Sequence, residues 1–255
     1  MRLSALVRRI TAPNPSPMTG AGTNTYLVGT GDVSVIDPGP DEPRHLETIL
    51  EVLGQERVAR ILVTHAHPDH APGAAALSLE TGTPVRAYTH TLRDGDLLTG
   101  GGATIDVLHT PGHTADHVCF LLREEPALFS GDLIMSGSTV VIAPPDGDMA
   151  AYLKSLDRLR GLRLARIYPG HGEVIDDPGG VIEEYIAHRM MRERQVLDAL
   201  RGGPARIPGL VSRIYTEVPQ VLHRLAAQSV HAHLLKLKAE GRVAGTDLES
   251  EWRLI

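Results

Sequence analysis

His65-Ala-His-Pro-Asp-His70 follows directly on the apolar run Ile61-Leu-Val-Thr64, and the whole chain is read outward from it. In an extended segment alternate side chains point the same way, so His65 and His67 can reach one cation. Pro68 bends the chain ahead of a helix, and Asp69 and His70 beyond it can aim at a second cation nearby. Imidazole nitrogens with carboxylate oxygens form a donor set that suits Zn²⁺ and also accepts Mn or Fe. At the chain's own His and Asp frequencies, chance supplies three His and one Asp in the spacing His-x-His-x-Asp-His only about 0.002 times over the full length, so four unrelated polar residues are a poor account of it.

Three later positions share one layout, an apolar strand, then small or turn residues, then a donor. Thr110-Pro-Gly-His113 and Tyr168-Pro-Gly-His171 each present a histidine, and Ser130-Gly-Asp132 presents a carboxylate after Ala127–Phe129. Strand ends that meet at one edge of a sheet are where mixed folds build their sites. His117, four residues past His113, reads equally as a partner that orients a donor and as a packed strand residue. Cys119 inside Val118-Cys-Phe-Leu-Leu122 reads as core, and His109 as part of a strand. His45, His90 and His223 have no motif around them.

The 255 residues suffice for one large α/β domain with a small appendage, and 42% apolar residues provide a core. One cysteine excludes an internal disulfide framework, and Met1–Ile10 has no long apolar run, which points to a cytoplasmic protein with no membrane partner. The net charge of −6 argues against a protein that coats nucleic acid. Residues 1–180 hold 14 Lys+Arg against 22 Asp+Glu, whereas residues 181–255 hold 11 against 9.

Strands are expected at Thr25–Val28 and Val33–Ile36 around the turn Gly29-Thr-Gly-Asp32, then at Ile61–Thr64, Val85–Tyr88, Thr104–Leu108, His117–Leu122, Ala127–Phe129 and Ile167–Tyr168. Helical spacing runs over His45–Leu53 and Ala71–Leu79, and Asp148 can cap a third helix. After Pro178-Gly-Gly180 the pattern turns mainly helical. A long segment ends near Leu200, short pieces follow at Ile207–Ile214 and Val218–Leu225, and a better helix spans Ala227–Glu240. This predicts a catalytic domain over 1–180, and a linking helix with a small domain over 181–255.

His65-x-His67-x-Asp69-His70 with His113, Asp132 and His171 resembles the metallo-β-lactamase superfamily in its glyoxalase-II-like dinuclear form. The resemblance covers residues 20–175. It implies an αββα sandwich and two Zn²⁺, with His65, His67 and His113 on one ion, Asp69, His70 and His171 on the other, and Asp132 between them. Asp69 would also serve catalysis by orienting hydroxide. The segments Tyr185–Arg189, Arg192–Gln195, Ile214–Glu217 and Ser229–Val243 resemble the winged-helix domain of β-lactamase-like proteins. Animal members of that family cut single-stranded RNA, and fungal relatives are thioesterases. The resemblance therefore implies an endoribonuclease on single-stranded RNA. The alternative is a thioesterase, or another ester or lactone hydrolase, acting on a small acyl substrate. Lys236 and Lys238 would lie on the polar side of a recognition helix, with Arg242-Val243 opening the wing. His188 is a candidate substrate contact on the linking helix. Assembly as a homo-oligomer is compatible with this reading.

Overall fold

Gly29 and Gly31 adopt φ of 99° and 71° in the computed structural model, which describes residues 1–88 and 90–255. These left-handed angles let the chain reverse between β2 (Asn24–Val28) and β3 (Asp32–Ile36), with β1 (Val7–Thr11) antiparallel on the other side of β2. Two crossovers then carry helices. α1 (Pro43–Leu53) leads into β4 (Arg57–Leu62), and α2 (Gly73–Thr81) leads into β5 (Val85–Arg86). Both strands join in parallel, giving a five-stranded sheet of order β1-β2-β3-β4-β5.

A second five-stranded sheet follows. β6 (Leu97–Gly100), β7 (Ala103–His109), β8 (Val118–Leu122) and β9 (Ala127–Gly131) form an antiparallel meander, and β10 (Arg166–Pro169) adds in parallel to β9. β6 is absent from the sequence reading. It is closed against β7 through Gly100-Gly-Gly102, three consecutive residues at positive φ that pattern reading takes for a loop. The expected strand Val85–Tyr88 is correspondingly shorter, ending at Arg86.

The two sheets share one core. Tyr26, Val28, Ile36 and Leu62 from the first meet Ile105, Val107, Phe120, Phe129 and Tyr168 from the second. The Tyr26, Phe129 and Tyr168 rings have centroids 5.1–5.5 Å apart. Each such buried side chain contributes about 1.5–3 kcal/mol. The outer face of the first sheet is covered by Ile49 and Leu53 of α1 and Leu77 of α2, against Leu27, Val33, Val35 and Ile61. These elements form the first compact unit, residues 1–110, 116–139 and 162–179.

The second unit comprises residues 111–115, 140–161 and 180–255. Asp148 caps α3 (Met149–Arg160), accepting from the Ala150 and Ala151 amides at 2.7 and 2.9 Å. α4 (Pro178–Leu200) is followed by β11 (Ala205–Arg206), α5 (Ile207–Ile214), α6 (His223–Ala239), β12 (Val243–Ala244) and β13 (Glu251–Leu254). The short strands form a sheet of order β11-β13-β12. Val196, Leu200, Leu210, Val230, Leu234 and Leu237 close around Trp252. Gly245 lies so near the indole that an added Cβ would stand 2.3 Å from Trp252 Cδ2. The separate helix expected at Val218–Leu225 is corrected. Gln220–Leu222 is a single 3₁₀ turn that runs into α6 at His223, because Pro219 sets the start and no breaker follows. Among the described residues, no helix is long and apolar enough to cross a membrane.

His45 is 2% exposed, and its Nε2 lies 2.7 Å from Thr25 Oγ1. That hydroxyl donates its own proton to Asp37 O, so the imidazole is the donor and is neutral on its other nitrogen. Burial pushes its pKa down to about 4. A histidine whose folded pKa lies below its unfolded value stabilises the fold fully above pH 6.5, and that contribution is lost as pH falls toward 4. Wild type should therefore lose about 2 kcal/mol more than His45→Gln between pH 6.5 and 4. Urea midpoints across that range measure the difference, and parallel slopes would contradict it.

Candidate metal centre

Parallel pairing of β3 and β4 sets Ile36 opposite Leu62, so the next residues of the two strands emerge side by side. Asp37 sits there with φ of 48°, a conformation that Asp tolerates better than most residues. Its carboxylate accepts from the Thr64 amide and the Thr64 hydroxyl, each at 2.7 Å, and from His70 Nδ1 at 2.9 Å. Since Thr64 Oγ1 gives its proton to Asp37, it accepts from His65 Nδ1 at 3.0 Å. Asp37 thus holds His70 directly and His65 through Thr64, so that in the neutral form of each ring Nε2 is the accepting nitrogen.

The other donors arrive from sheet ends. His171 follows β10, and its Nδ1 lies 3.3 Å from Gly22 O. Asp132 follows β9. Its backbone amide donates to His117 Nε2 at 3.2 Å, and His117 Nδ1 meets Thr110 Oγ1 at 3.0 Å. His117 therefore acts on the donors by fixing Asp132. Asp69 Oδ2 accepts from Thr23 Oγ1 at 3.3 Å. His113 Nδ1 lies 3.0 Å from Val141 O, which directs Nε2 away from it.

The donor atoms of His65, His67, His113 and Asp132 all lie within 4.8 Å of one another, and so do those of Asp69, His70 and His171. His65 Nε2 stands 3.0 Å from His67 Nδ1. His70 Nε2 stands 3.2 Å from His171 Nε2, and both lie 3.1–3.5 Å from Asp69 Oδ2 and Asp132 Oδ1. Glycines make this convergence possible. An added Cβ at Gly170 would meet His70 Cε1 at 2.7 Å and Asp132 Oδ1 at 2.8 Å, and one at Gly131 would meet His117 Nε2 at 2.7 Å.

With Nδ1 protons committed elsewhere, neutral His70 and His171 would present two lone pairs to each other and to two carboxylates. Such an array requires positive charge at its centre. Burial pulls both imidazoles down, but the Asp132 and Asp37 charges outweigh it and raise His70 well above its usual value. Hydrogen bonds to Asp132 and Asp69 similarly raise His171 to about 9. Burial would lift Asp132, yet the same two histidines hold it well below the ordinary carboxylate range, and Asp69 is also lowered. All-nitrogen-and-oxygen donors with anchored rings fit divalent transition ions.

Seven sequence-predicted donors are thus placed in two groups. His188 belongs to neither; it is half-buried on α4, with its Nε2 accepting from Arg192 Nε at 3.4 Å. His109 lies in β7 and stacks on Tyr88 with ring centroids 3.9 Å apart. Cys119 is fully buried. Asp37 and Thr64 have no site role in the sequence reading. Asp37 follows the apolar strand Val33–Ile36 directly, without the small residues that precede His113, Asp132 and His171.

Residues 18–95 and 86–171 match the Metallo-beta-lactamase superfamily, and residues 207–252 match the Beta-lactamase associated winged helix domain. The chain is 37% identical to the Beta-lactamase-like protein 2 homolog of Drosophila melanogaster, over 95% of this chain and 91% of the relative. It is 35% identical to the Atrochrysone carboxyl ACP thioesterase of Aspergillus chevalieri, over 95% of this chain and 84% of the relative. The crystal structure of a metallo-beta-lactamase family protein from Thermus thermophilus aligns with a TM-score of 0.79 at 26% identity, covering 98% of each chain.

Removing the Asp37 carboxylate frees His70 to rotate and to change tautomer. Asp37→Ala should weaken divalent-ion binding about 10–100-fold, the range seen when the partner of a ligating histidine is lost. Competition with a chromophoric chelator reads this directly, and wild-type affinity in a folded variant would refute it.

Proposed function

The chain belongs to the metallo-β-lactamase superfamily and is a metal-dependent hydrolase, and within that class we propose that it is a dinuclear zinc enzyme that hydrolyses acyl thioesters. His65, His67 and His113 would hold one ion, Asp69, His70 and His171 the other, with Asp132 shared. Two such ions supply Lewis acidity and bring the pKa of water into the neutral range.

The chain's own residues supply the rest. Asp69 is the most open carboxylate of the group, with a side chain 27% exposed against 12% for Asp132. Thr23 fixes one of its oxygens, so it can take the proton of the attacking water and pass it to the departing sulfur. Water oxygen bonds to the acyl carbon, the C–S bond breaks, one water proton reaches the thiol through Asp69, and the other leaves to solvent as the acid product ionises to a carboxylate. His188 is assigned to substrate contact. Burial, with the charges of Arg189 and Arg192, pushes its pKa down to about 4, so it meets substrate as a neutral ring.

The observation that carries the thioester reading is the near full-length similarity to a relative named as an acyl carrier protein thioesterase. Charge supports it over RNA. Lys236 on the expected recognition helix is bound by Glu193 at 2.7 Å and Glu240 at 2.6 Å, and Arg242 faces the same two carboxylates at 3.4 and 3.5 Å. Cations neutralised within their own unit add little to phosphate binding. The endoribonuclease reading rests on the winged-helix match at 207–252, with exposed Lys238 and Arg253 as its phosphate contacts.

A substrate panel of acyl-carrier-protein and coenzyme A thioesters, labelled single-stranded RNA, lactones and β-lactams separates these readings. Zinc-loaded protein should carry about two ions per chain and turn over thioesters. Asp69→Asn should lower that rate about 10²–10⁴-fold, and His188→Ala should raise KM more than it lowers kcat. RNA cleavage that Asp132→Ala abolishes, with thioesters inert, would replace the thioesterase by the endoribonuclease.

A further inference from the structure

Arg189 is an unusual residue for the middle of α4. It is only 2% exposed, and its Nε finds no acceptor among the described residues. A guanidinium buried with incomplete hydrogen bonding costs stability, so its retention calls for a role that an apolar side chain would not fill. Two contacts define that role. One terminal nitrogen donates to Val140 O, and the guanidinium carbon lies 5.2 Å from the centre of the Tyr152 ring on α3.

Both contacts lead to His113. The next residue, Val141, supplies the carbonyl that accepts from His113 Nδ1 at 3.0 Å. Tyr152 is the α3 residue against which Gly112 is packed, where an added Cβ would stand 2.3 Å from Tyr152 Cα. The same short segment is held at three more points. Asp148 N donates to Gly112 O at 2.9 Å, Ala115 N donates to Asp146 Oδ1 at 3.0 Å, and Ser155 Oγ donates to Pro111 O at 2.7 Å. These three bonds place the backbone of residues 111–115. The rotation of the His113 ring is set by its bond to Val141 O.

We propose that Arg189 is a positioning residue for His113. By holding the Val140 carbonyl and the Tyr152 ring together, it fixes the Val140–Val141 backbone whose next carbonyl selects the His113 tautomer and ring angle. This rests on the reading of His113 as a metal ligand. The helix that introduces the C-terminal domain thereby sets the strength of one metal position and leaves the other untouched. Arginine suits the task better than lysine, since one planar group both donates to a carbonyl and stacks on an aromatic face.

The test is titration of the full chain with Co²⁺ alone, following the visible absorption of each bound ion, for wild type, Arg189→Met, Arg189→Lys and His113→Ala. Arg189→Met should weaken one of the two ions about 10–100-fold, with the other at wild-type affinity. Arg189→Lys should recover part of the loss through its bond to Val140 O. It also provides the test if the Met variant does not fold. Two ions at wild-type affinity in a folded Arg189→Met or Arg189→Lys protein would overturn the proposal. Equal weakening of both ions would overturn it too, since general loosening of the fold does that. If His113→Ala itself binds both ions normally, the assignment of His113 as ligand fails first, and the role of Arg189 falls with it.

Discussion

One carboxylate organises the metal centre. Asp37 stands at the end of β3 and takes hydrogen bonds from the Thr64 backbone, the Thr64 hydroxyl and His70 Nδ1. It thereby joins the ends of two parallel strands and orients two imidazoles that reach separate groups of donors. Hydrogen bonds to a buried charge are about twice as strong as neutral ones, so this junction is a rigid reference for the rest. The remaining donors need only be delivered to it, by β9 for Asp132 and by β10 for His171. Tyr26 ties the β10 end back to β2 through Pro169 O at 2.8 Å.

The motif His65–His70 and the repeated pattern of apolar strand, turn and donor make seven residues readable from sequence, because each signal is local and chemically distinctive. Asp37 also ends an apolar strand but lies between Ile36 and Pro38, where an aspartate reads equally well as a turn residue. Its importance depends on the parallel pairing of Ile36 with Leu62, a contact between strands that spacing does not encode. For the same reason the role of Arg189 is illegible, and that of His117 stays open between orienting a donor and packing in a strand. Each acts through a backbone group, Asp132 N or Val140 O, that has no sequence signature. At the level of elements, the hairpin, the Asp148 cap and the helices at 43–53 and 207–214 follow from turn chemistry and periodicity. β6 was hidden because its pairing comes from a run of glycines, which propensity assigns to loops.

The C-terminal helices show how charge can mislead when counted along a chain. Lys236 and Arg242 look like a basic surface in sequence, and Glu193, more than forty residues upstream, reads as an unrelated helix residue. Folding brings the three together around a carboxylate that is 3% exposed. Burial would raise Glu193, but His233 and Lys236 outweigh it and bring its pKa down to about 2. The polar side of α6 is thus engaged with α4.

Gly170 and Gly131 leave no volume beside His70, Asp132 and His117 for even one additional carbon. New side chains therefore cannot enter the interior of the centre, and substitutions that leave it intact fall on residues around its mouth. In such an arrangement the reactive core can be inherited unchanged while the range of molecules admitted to it diversifies. One scaffold can then serve relatives whose substrates have little in common.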